Sequence, residues 1–406
     1  MKVAPVIALL LGTMAAASAH RISAQHTFSD PSLNVLHTFA GRPDGYQPDE
    51  GVSASKDGTL FGVTAWGGAN NLGAVYSLTP SGSTYKETII YSFQGGTDGV
   101  RPSGRLLLHK GSIFGTTQSG GSPRHPCGTV YKLSPQGSTY IESVIFRFDC
   151  GTGGGTPASG VIADSSGNLY GTTSLAGSDD QGIVFELTRD GTEYHEHVLH
   201  DFQLGDGSDV VAGLVFGPTG TLYGTAAGGG ALGNGIVFEI AHIGASYKEQ
   251  TIYTFHGAAD GANPTASLTV DPSGALYGTT SNAGPGNGGT IFKLTPAGSG
   301  TFTYGVVHSF VRSIGPYTPQ GGVLLDKAGN VFGTASDGGR FGFGAAYELS
   351  PSAGAYRFRT LYDFGNSDGR SPTGSLVAGP AGALFGTGSG LGAGSQTGGT
   401  VFELMP

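Results

Sequence analysis

The chain has 406 residues, of which 75 are glycine and 21 are proline, and only 12% are charged. This glycine and proline content is close to the roughly 25% of low-complexity chains, but glycine recurs here with a fixed period, which favours a folded repeat protein. A net charge of -9 without long charged runs argues against nucleic acid or anionic lipid as a partner, because both need a basic surface.

The first 19 residues have the pattern of a secretory signal peptide. Lys2 precedes an apolar stretch that runs through Leu11, and Ala17-Ser18-Ala19 is a small-residue cleavage site. We therefore expect cleavage after Ala19, a linker over residues 20–33, and a secreted, extracellular or periplasmic mature protein with no transmembrane segment. A membrane anchor is the weaker alternative, because it needs about 20 apolar residues and no cleavage site.

One short phrase, written in full as Asn168-Leu169-Tyr170-Gly171-Thr172-Thr173, recurs seven times along the chain. Its glycines follow one another at intervals of 53 to 56 residues: Gly62, Gly115, Gly171, Gly224, Gly278, Gly333 and Gly386. A repeat of this length is nearest to the propeller class. Because the Leu and Tyr of the phrase point to opposite faces of a strand, we expect each to pack against a different neighbouring blade. We expect the Gly and Thr to fit the crowded narrow end.

Each repeat contains four segments with the character of β-strands. In the third repeat, an apolar run over residues 157–163 ends in a turn at residues 164–167, and the recurring phrase follows as the second strand. Residues 182–187 form the third strand. Alternating apolar and aromatic residues, as in 252–255 of the next repeat, form the fourth. Asp at the start of the turn and Gly at its fourth position suit a tight type I turn.

The two ends of the chain predict how the repeats close into a ring. The last repeat stops at Pro406, before its fourth strand, whereas residues 35–39 match a fourth strand and precede the first repeat. We therefore predict an all-β protein, a seven-bladed β-propeller of four-stranded antiparallel blades over residues 34–406. Its N-terminal strand completes the C-terminal blade, which limits exposed strand edges. An open solenoid is the rival, but it would need atypical capping repeats.

Two cysteines, Cys127 and Cys150, flank the outer hairpin of the second repeat. We expect Tyr131 to face Phe146 in this hairpin, and the same register places the two cysteines opposite each other. Exported chains favour oxidation of such pairs, so the sequence predicts a disulfide.

The repeat pattern resembles a known family. The pattern D-x-x-G-N-L-Y-G-T-T-x-x-G-G-x-x-G-x-G-x-V-F-x-L is best seen at residues 164–187 and 271–294, and it resembles the GloVer tandem repeat of bacterial exported proteins. The resemblance covers nearly all of the mature chain. It implies a surface or secreted protein, usually with a C-terminal anchor, and it implies no particular activity or catalytic residues. We expect no such anchor here.

Residues that break the repeat pattern are candidates for function, because blade packing does not explain them. The innermost strand begins with glycine or serine in six repeats but with Arg105 in the second. We predict a cationic patch with an aromatic edge at the channel mouth, which binds an acidic glycan or a carboxylate. The predicted ligand-binding residues are Trp66, Arg101, Arg105, Arg124, His125, Asp179 and Asp180. The alternative is a set of solvated loop residues.

Asp-Gly pairs follow the fourth strand in five repeats, at Asp44, Asp98, Asp206, Asp260 and Asp368. A ring of acceptors for a cation or for sugar hydroxyls is one interpretation. Local hydrogen bonds within the turns are the simpler one, and we favour it. His37, His200 and His308 occupy a position that is tyrosine in other repeats, so we interpret these histidines as packing residues rather than ligands.

No metalloprotease, serine hydrolase, P-loop or EF-hand motif occurs, so we expect no cofactor, no metal and no identifiable catalytic residue. The single tryptophan argues against quinoproteins and against lectins that use one tryptophan in every blade. The leading hypothesis is an exported, non-catalytic, monomeric propeller that binds a glycan or a surface protein through its loop face. The alternatives are a polysaccharide hydrolase or lyase with its site at the channel mouth, and a structural component of the cell envelope.

Overall fold

The computed structural model describes residues 31–48, 50–244, 246–298, 300–390 and 398–406. The predicted signal peptide and all but the last residues of the predicted linker lie outside the described residues. Within these ranges, seven four-stranded antiparallel sheets form the blades of a ring, which confirms the seven-bladed β-propeller. Each blade runs from an inner strand at the axis, through a second and a third strand, to an outer strand at the rim.

The strands are short at the axis and longer at the rim in most blades. From the inner to the outer strand, blade 1 comprises Ser53–Ala54, Leu60–Thr64, Ala74–Ser81 and Thr84–Ser92; blade 2 comprises Gly99–His109, Ser112–Gly120, Thr129–Gln136 and Thr139–Arg147; and blade 3 comprises Ile162–Ala163, Leu169–Thr173, Ile183–Asp190 and Glu193–Asp201. Blade 4 comprises Val215–Phe216, Leu222–Ala226, Ile236–Ile243 and Ser246–Thr254, and blade 5 comprises Thr269–Val270, Leu276–Thr280, Asn287–Gly298 and Thr301–Val311. Blade 6 comprises Leu324–Leu325, Val331–Ala335, Ala345–Ser352 and Ala355–Asp363, and blade 7 comprises Val377–Ala378, Leu384–Gly388, Thr400–Met405 and Ser32–Thr38. Two short ribbons, Gly45–Tyr46 with Trp66–Gly67 and Pro316–Tyr317 with Asp337–Gly338, and a 3-10 turn at Pro380–Gly382 complete the described elements.

Blade 7 closes the ring in the way that the chain ends predict. Its outer strand, Ser32–Thr38, pairs antiparallel with the C-terminal strand Thr400–Met405. Three strands of this blade therefore come from the C-terminal part of the chain and the fourth comes from the N-terminal part. The backbone hydrogen bonds between these two parts hold the ring closed. The outer strand spans the predicted start of the propeller at residue 34.

The packing of blade 3 explains the recurring phrase. Leu169 is fully buried and packs with Phe114 of blade 2. Tyr170 is buried on the opposite face, where it packs with Leu222 of blade 4. This confirms that the two side chains serve different neighbours. Gly171 lies under the aromatic ring of the third strand, since a Cβ there would be 2.5 Å from Phe185 Cζ.

Buried threonines of the phrase join neighbouring blades. Thr172 Oγ1 donates a hydrogen bond of 2.9 Å to the carbonyl of Ala212 in blade 4. The equivalent bonds run from Thr116 to Ser159, Thr225 to Ala266, Thr279 to Gly321 and Thr334 to Gly374, while Thr387 accepts one from the amide of Gly51. Blade 1 has Val63 at this position and so cannot make the bond. These contacts satisfy backbone groups near the axis that have no ladder partner.

The inner strands of all blades except blade 2 are shorter than the sequence predicts. In blade 3 only Ile162–Ala163 of the predicted 157–163 run pairs with the second strand. The residues before them lie against the adjacent blade, where Gly160 approaches the carbonyl of Arg105 too closely to carry a Cβ. The predicted turn is confirmed, because the Gly167 amide donates to the Asp164 carbonyl at 3.2 Å and Gly167 has a φ of 96°.

The predicted disulfide links Cys127 and Cys150, whose Cα atoms are 5.4 Å apart. The predicted register of the hairpin is wrong. Phe146 pairs with Val130, one residue from the predicted pairing with Tyr131. A β-bulge between Val130 and Tyr131 shifts the ladder by one residue more, so that Tyr131 pairs with Val144. The same bulge recurs in the outer hairpins of the other blades, so it belongs to the repeat.

Candidate functional site

A cavity of about 300 Å³ lies on the axis of the ring. Inner segments from all seven blades line it, and most of its wall is backbone and small side chains. Among the described residues, the charged side chains in this wall are Glu50 of blade 1 and Arg105 of blade 2. The axial cavity therefore has two charged side chains on one side and uncharged, mostly small or apolar residues on the other.

Arg105 lines the axial cavity at the position where the alignment of the repeats places it. The equivalent residues Gly160, Gly213, Ser267, Gly322 and Ser375 line the same cavity. The Arg105 side chain is open to solvent along the channel, yet protein surrounds it closely enough that desolvation lowers the pKa of the guanidinium from its usual value. A guanidinium held in such surroundings binds a carboxylate or phosphate more strongly than it would in bulk water.

Glu50 is a site residue that the sequence reasoning missed. When the repeats are aligned, Glu50 lies one residue before the position that Arg105 occupies in the second repeat. The other repeats have only small residues at the Glu50 position: Gly104, Ser159, Ala212, Ala266, Gly321 and Gly374. The same test of repeat-breaking residues, shifted by one position, would have found it. Glu50 also lines a smaller cavity beside Arg101, so it lies between the two arginines.

At the rim of the channel, Trp66 and Arg101 are in contact. The Arg101 guanidinium carbon lies 5.3 Å from the centroid of the Trp66 ring, which is the distance of a cation–π pair. Trp66 is paired across a short ribbon with Tyr46, which is 36% exposed. Sequence reasoning missed Tyr46, since no spacing links it to Trp66.

The other four predicted site residues lie on loops of blades 2 and 3. Arg124 and His125 are exposed, and their backbone amides donate to Ser122 Oγ. Asp180 accepts a hydrogen bond of 2.8 Å from the Ala176 amide, and Asp179 is exposed beside it. None of these four lines the two axial cavities, and their part in binding stays a prediction.

The Asp-Gly turns make local hydrogen bonds, which supports the simpler interpretation. Asp98 accepts from the Gln94 and Gly99 amides at 2.7 and 2.6 Å, and from Tyr91 Oη at 2.9 Å. Asp260 and Asp368 likewise accept from the tyrosine of their own outer strand. The position occupied by tyrosine or histidine is therefore a hydrogen-bond position as well as a packing position.

Four consecutive seams between blades hold a second carboxyl group on the outer strand of the next blade: Glu87, Glu142, Glu196 and Glu249. Burial is the main reason that the pKa of each glutamate is raised, and the aspartate across the seam adds to the effect. The pKa reaches about 7 for Glu142, Glu196 and Glu249. These seams are acidic clefts on the outside of the ring.

The seven four-stranded blades and the sequence motif that recurs in each of them define a seven-bladed propeller built from tandem repeats. The chain belongs to the Gloeobacter/Verrucomicrobia repeat family, whose model matches residues 9–208 and 123–326. No curated protein matches the sequence.

Solved structures share the fold at low sequence identity. A protein from Bacteroides uniformis assigned as a 6-phosphogluconolactonase is 15% identical, with a TM-score of 0.50 over 76% of this chain and 82% of that one. The extracellular domain of a protein from B. thetaiotaomicron assigned to a one-component system is 10% identical, with a TM-score of 0.53 over 90% of this chain and 40% of that one. Both likenesses are of fold alone.

The disulfide indicates a non-cytoplasmic protein, because reducing compartments do not maintain such bonds. Among the described residues, no helix has the length and apolar character needed to span a bilayer.

Proposed function

We propose that this propeller is an exported binding protein that takes up an acidic glycan at the mouth of its central channel. The observation that carries the proposal is Arg105, which presents a guanidinium in an axial cavity that five equivalent positions line with glycine or serine. Glycine or serine is sufficient for blade packing at this position, where Ser267 and Ser375 each accept a hydrogen bond from an amide of the preceding blade, so we assign the arginine another role. A planar guanidinium matches the two oxygens of a carboxylate, such as that of a uronic acid, in a bidentate pair.

The surroundings of Arg105 suit a sugar better than a small inorganic anion. The cavity of about 300 Å³ is at the lower end of the size range of ligand pockets, which is about 300–1,000 Å³. Glu50 offers acceptors for sugar hydroxyls in the same wall. At the rim, Trp66 and Tyr46 offer ring faces on which a pyranose can stack.

A binding screen with one matched pair of variants tests the proposal. Acidic oligosaccharides, such as oligogalacturonate, and neutral oligosaccharides of equal length are titrated into the purified protein by calorimetry. We expect binding of the acidic series alone. Arg105→Ser, which installs the residue found at Ser267 and Ser375, should weaken binding by roughly 10- to 100-fold, the worth of about 1.5–3 kcal/mol for hydrogen bonds to a charged group. Its melting temperature should be unchanged.

The control variant is Arg357→Ala, which removes an exposed arginine from the outer strand of blade 6. It should bind like the parent protein, since general charge attraction is not the mechanism. Equal binding by the parent and Arg105→Ser would refute the channel site. Release of a shortened sugar during the titration would instead support the hydrolase or lyase alternative.

A protein partner is the second candidate, and one surface observation favours it. The connections from the second to the third strand and from the outer strand to the next blade lie on one face of the ring, the loop face. Large apolar side chains are exposed on these connections: Leu204 at 69%, Leu232 at 53%, Ile314 at 75% and Phe341 at 55%. Apolar side chains on one face mark an interaction surface when they form a continuous patch. If no sugar binds, capture of envelope proteins by the parent but not by Ile314→Asp would support this candidate, and equal capture by both would exclude it.

A further inference from the structure

The seam between blade 7 and blade 1 brings together three side chains of metal-ligating type. His37 lies on the outer strand of blade 7, Asp44 follows in the next loop, and Glu87 lies on the outer strand of blade 1. His37 Nε2 is 3.3 Å from Asp44 Oδ2, and one ligand atom from each of the three residues lies within 4.8 Å of the others. The seam between blades 3 and 4 has His200, Asp206 and Glu249 at the equivalent positions, but among the described residues only His37, Asp44 and Glu87 bring three such ligand atoms this close together.

The polar groups of this seam are not fully satisfied by the protein. All three residues are half-buried, and Glu87 Oε1 is shielded from solvent without a hydrogen-bond partner. Each carboxylate oxygen of Asp44 accepts a backbone hydrogen bond, from the amide of Ala40 at 2.9 Å and from the amide of Gly45 at 2.7 Å. Two carboxylates in one cleft repel each other unless a positive charge lies between them.

Comparison with the other seams shows that packing does not require a carboxyl group at Glu87. The equivalent positions in blades 5, 6 and 7 are Tyr304, Phe358 and Leu33. Two of these are stacked directly on the outer-strand residue of the preceding blade, Tyr304 at 4.1 Å from Tyr253 and Phe358 at 4.4 Å from His308, as ring centroids. An apolar or aromatic residue therefore fills the seam well, and Glu87 gives up that contact.

We propose that His37, Asp44 and Glu87 bind a divalent cation of the zinc class at the seam where the ring closes. One imidazole and two carboxylates are ligands that zinc accepts, at about 2.0–2.2 Å, with water completing the coordination. Two ligands of a tetrahedral zinc ion lie about 3.4 Å apart, close to the distance between His37 and Asp44. Small rotations of the half-buried Glu87 side chain bring the third ligand into range. The bound cation joins the N-terminal strand to blade 1.

The adjacent seam is a natural control within the same chain. It keeps both carboxyl groups, Asp98 and Glu142, but has Tyr91 in place of the histidine. Tyr91 donates its hydroxyl proton to Asp98, and a neutral phenol is a poor zinc ligand. A site that needs the imidazole is therefore present at the first seam and absent at the second.

The test compares thermal unfolding of the tag-free purified protein after chelation, with and without added Zn²⁺, and measures zinc binding by calorimetry. We expect one zinc ion per chain and a rise in melting temperature in the parent protein and in Glu142→Gln. Glu87→Gln and His37→Tyr should lose the rise. His37→Tyr recreates the residue set of the adjacent seam, so it should still fold.

The comparison rests on the change caused by zinc in each variant, so a variant with altered basal stability remains informative. No zinc-dependent change in the parent protein would overturn the proposal, as would an equal change in Glu87→Gln. A rise with Ca²⁺ but not with Zn²⁺ would also overturn it, because calcium prefers oxygen ligands and does not need the histidine.

Discussion

The glycine of the recurring phrase allows a sharp test of how the blades are filled. In Gly171→Ala, the new Cβ would lie 2.5 Å from Phe185 Cζ and 3.0 Å from Phe185 Cε1, whereas carbon atoms pack at about 3.5–4.0 Å. The ring must move by about 1 Å, but Phe185 is fully buried and lies against Phe148 at a centroid distance of 5.3 Å. Overpacking of this kind costs about 1–3 kcal/mol. The backbone at Gly171 has no positive φ, so the penalty is steric.

Calorimetric unfolding measures the effect, and Gly305→Ala is its matched control. Gly305 lies in a strand, has no positive φ, and a Cβ there meets nothing within 4 Å. The control should be neutral or slightly stabilising, by up to about 1 kcal/mol, because alanine reduces the entropy of the unfolded chain. Phe185→Leu should cost less in the Gly171→Ala background than in the parent protein. If Gly171→Ala melts like Gly305→Ala, the aromatic ring does not explain the recurring glycine.

Other expectations follow from single contacts. Thr172→Val should cost about 1–3 kcal/mol in urea unfolding, because it leaves the Ala212 carbonyl buried without its partner; an unchanged midpoint would contradict the inter-blade role. Tyr347→Phe should raise the melting temperature, since its fully buried hydroxyl has no hydrogen-bond partner and other blades have phenylalanine there; a fall would show that the hydroxyl is used. Burial and the charge of Asp98 raise the pKa of Glu142 from 4.5 to about 7, so its contribution to stability is complete below pH 4.5 and is lost as the pH rises through 7. Glu142→Gln should therefore lose less stability than the parent protein between pH 5 and pH 8, and parallel pH profiles would exclude this cause. Reduction of the disulfide should lower stability by about 3 kcal/mol, as expected for a closed loop of this size, and an unchanged melting temperature in reductant would contradict it.

The fold was predictable because sevenfold repetition averages out the ambiguity of any one segment. A single strand such as Leu169–Thr173 is a weak signal, but seven copies at nearly constant spacing fix the number of blades. Closure was readable for the same reason, since Ser32–Thr38 matches a strand that the last repeat lacks. The bulge before Tyr131 was not predictable, because Val144, Ile145 and Phe146 on the opposite strand are all apolar and the alternation does not show which of them is the extra residue.

The site was predictable only where it breaks a pattern within one repeat. Arg105 could be singled out because the equivalent position in the other repeats is glycine or serine. The same comparison made one residue earlier in each repeat identifies Glu50. Tyr46 and Glu87 had no such signal. Tyr46 matters because a ribbon pairs it with Trp66, and Glu87 matters because blade 7 carries Asp44 to the same seam. Contacts between repeats depend on the tilt and spacing of whole blades, which a sequence does not show.

Among the described residues, the charged and aromatic side chains that break sevenfold symmetry at the channel and its mouth fall in one sector of the ring. Glu50 and Trp66 belong to blade 1, Arg101 and Arg105 belong to blade 2, and Tyr46 lies in the connection that leads from the closing strand into blade 1. A perfectly symmetric channel would offer a ligand seven equivalent orientations. If the channel binds the acidic glycan that we propose, two arginines, one carboxylate and one aromatic pair on the same side leave only one of those orientations in which a charged sugar is placed correctly. In that case the asymmetric sector converts a repeating scaffold into a site that binds the proposed ligand in a single orientation.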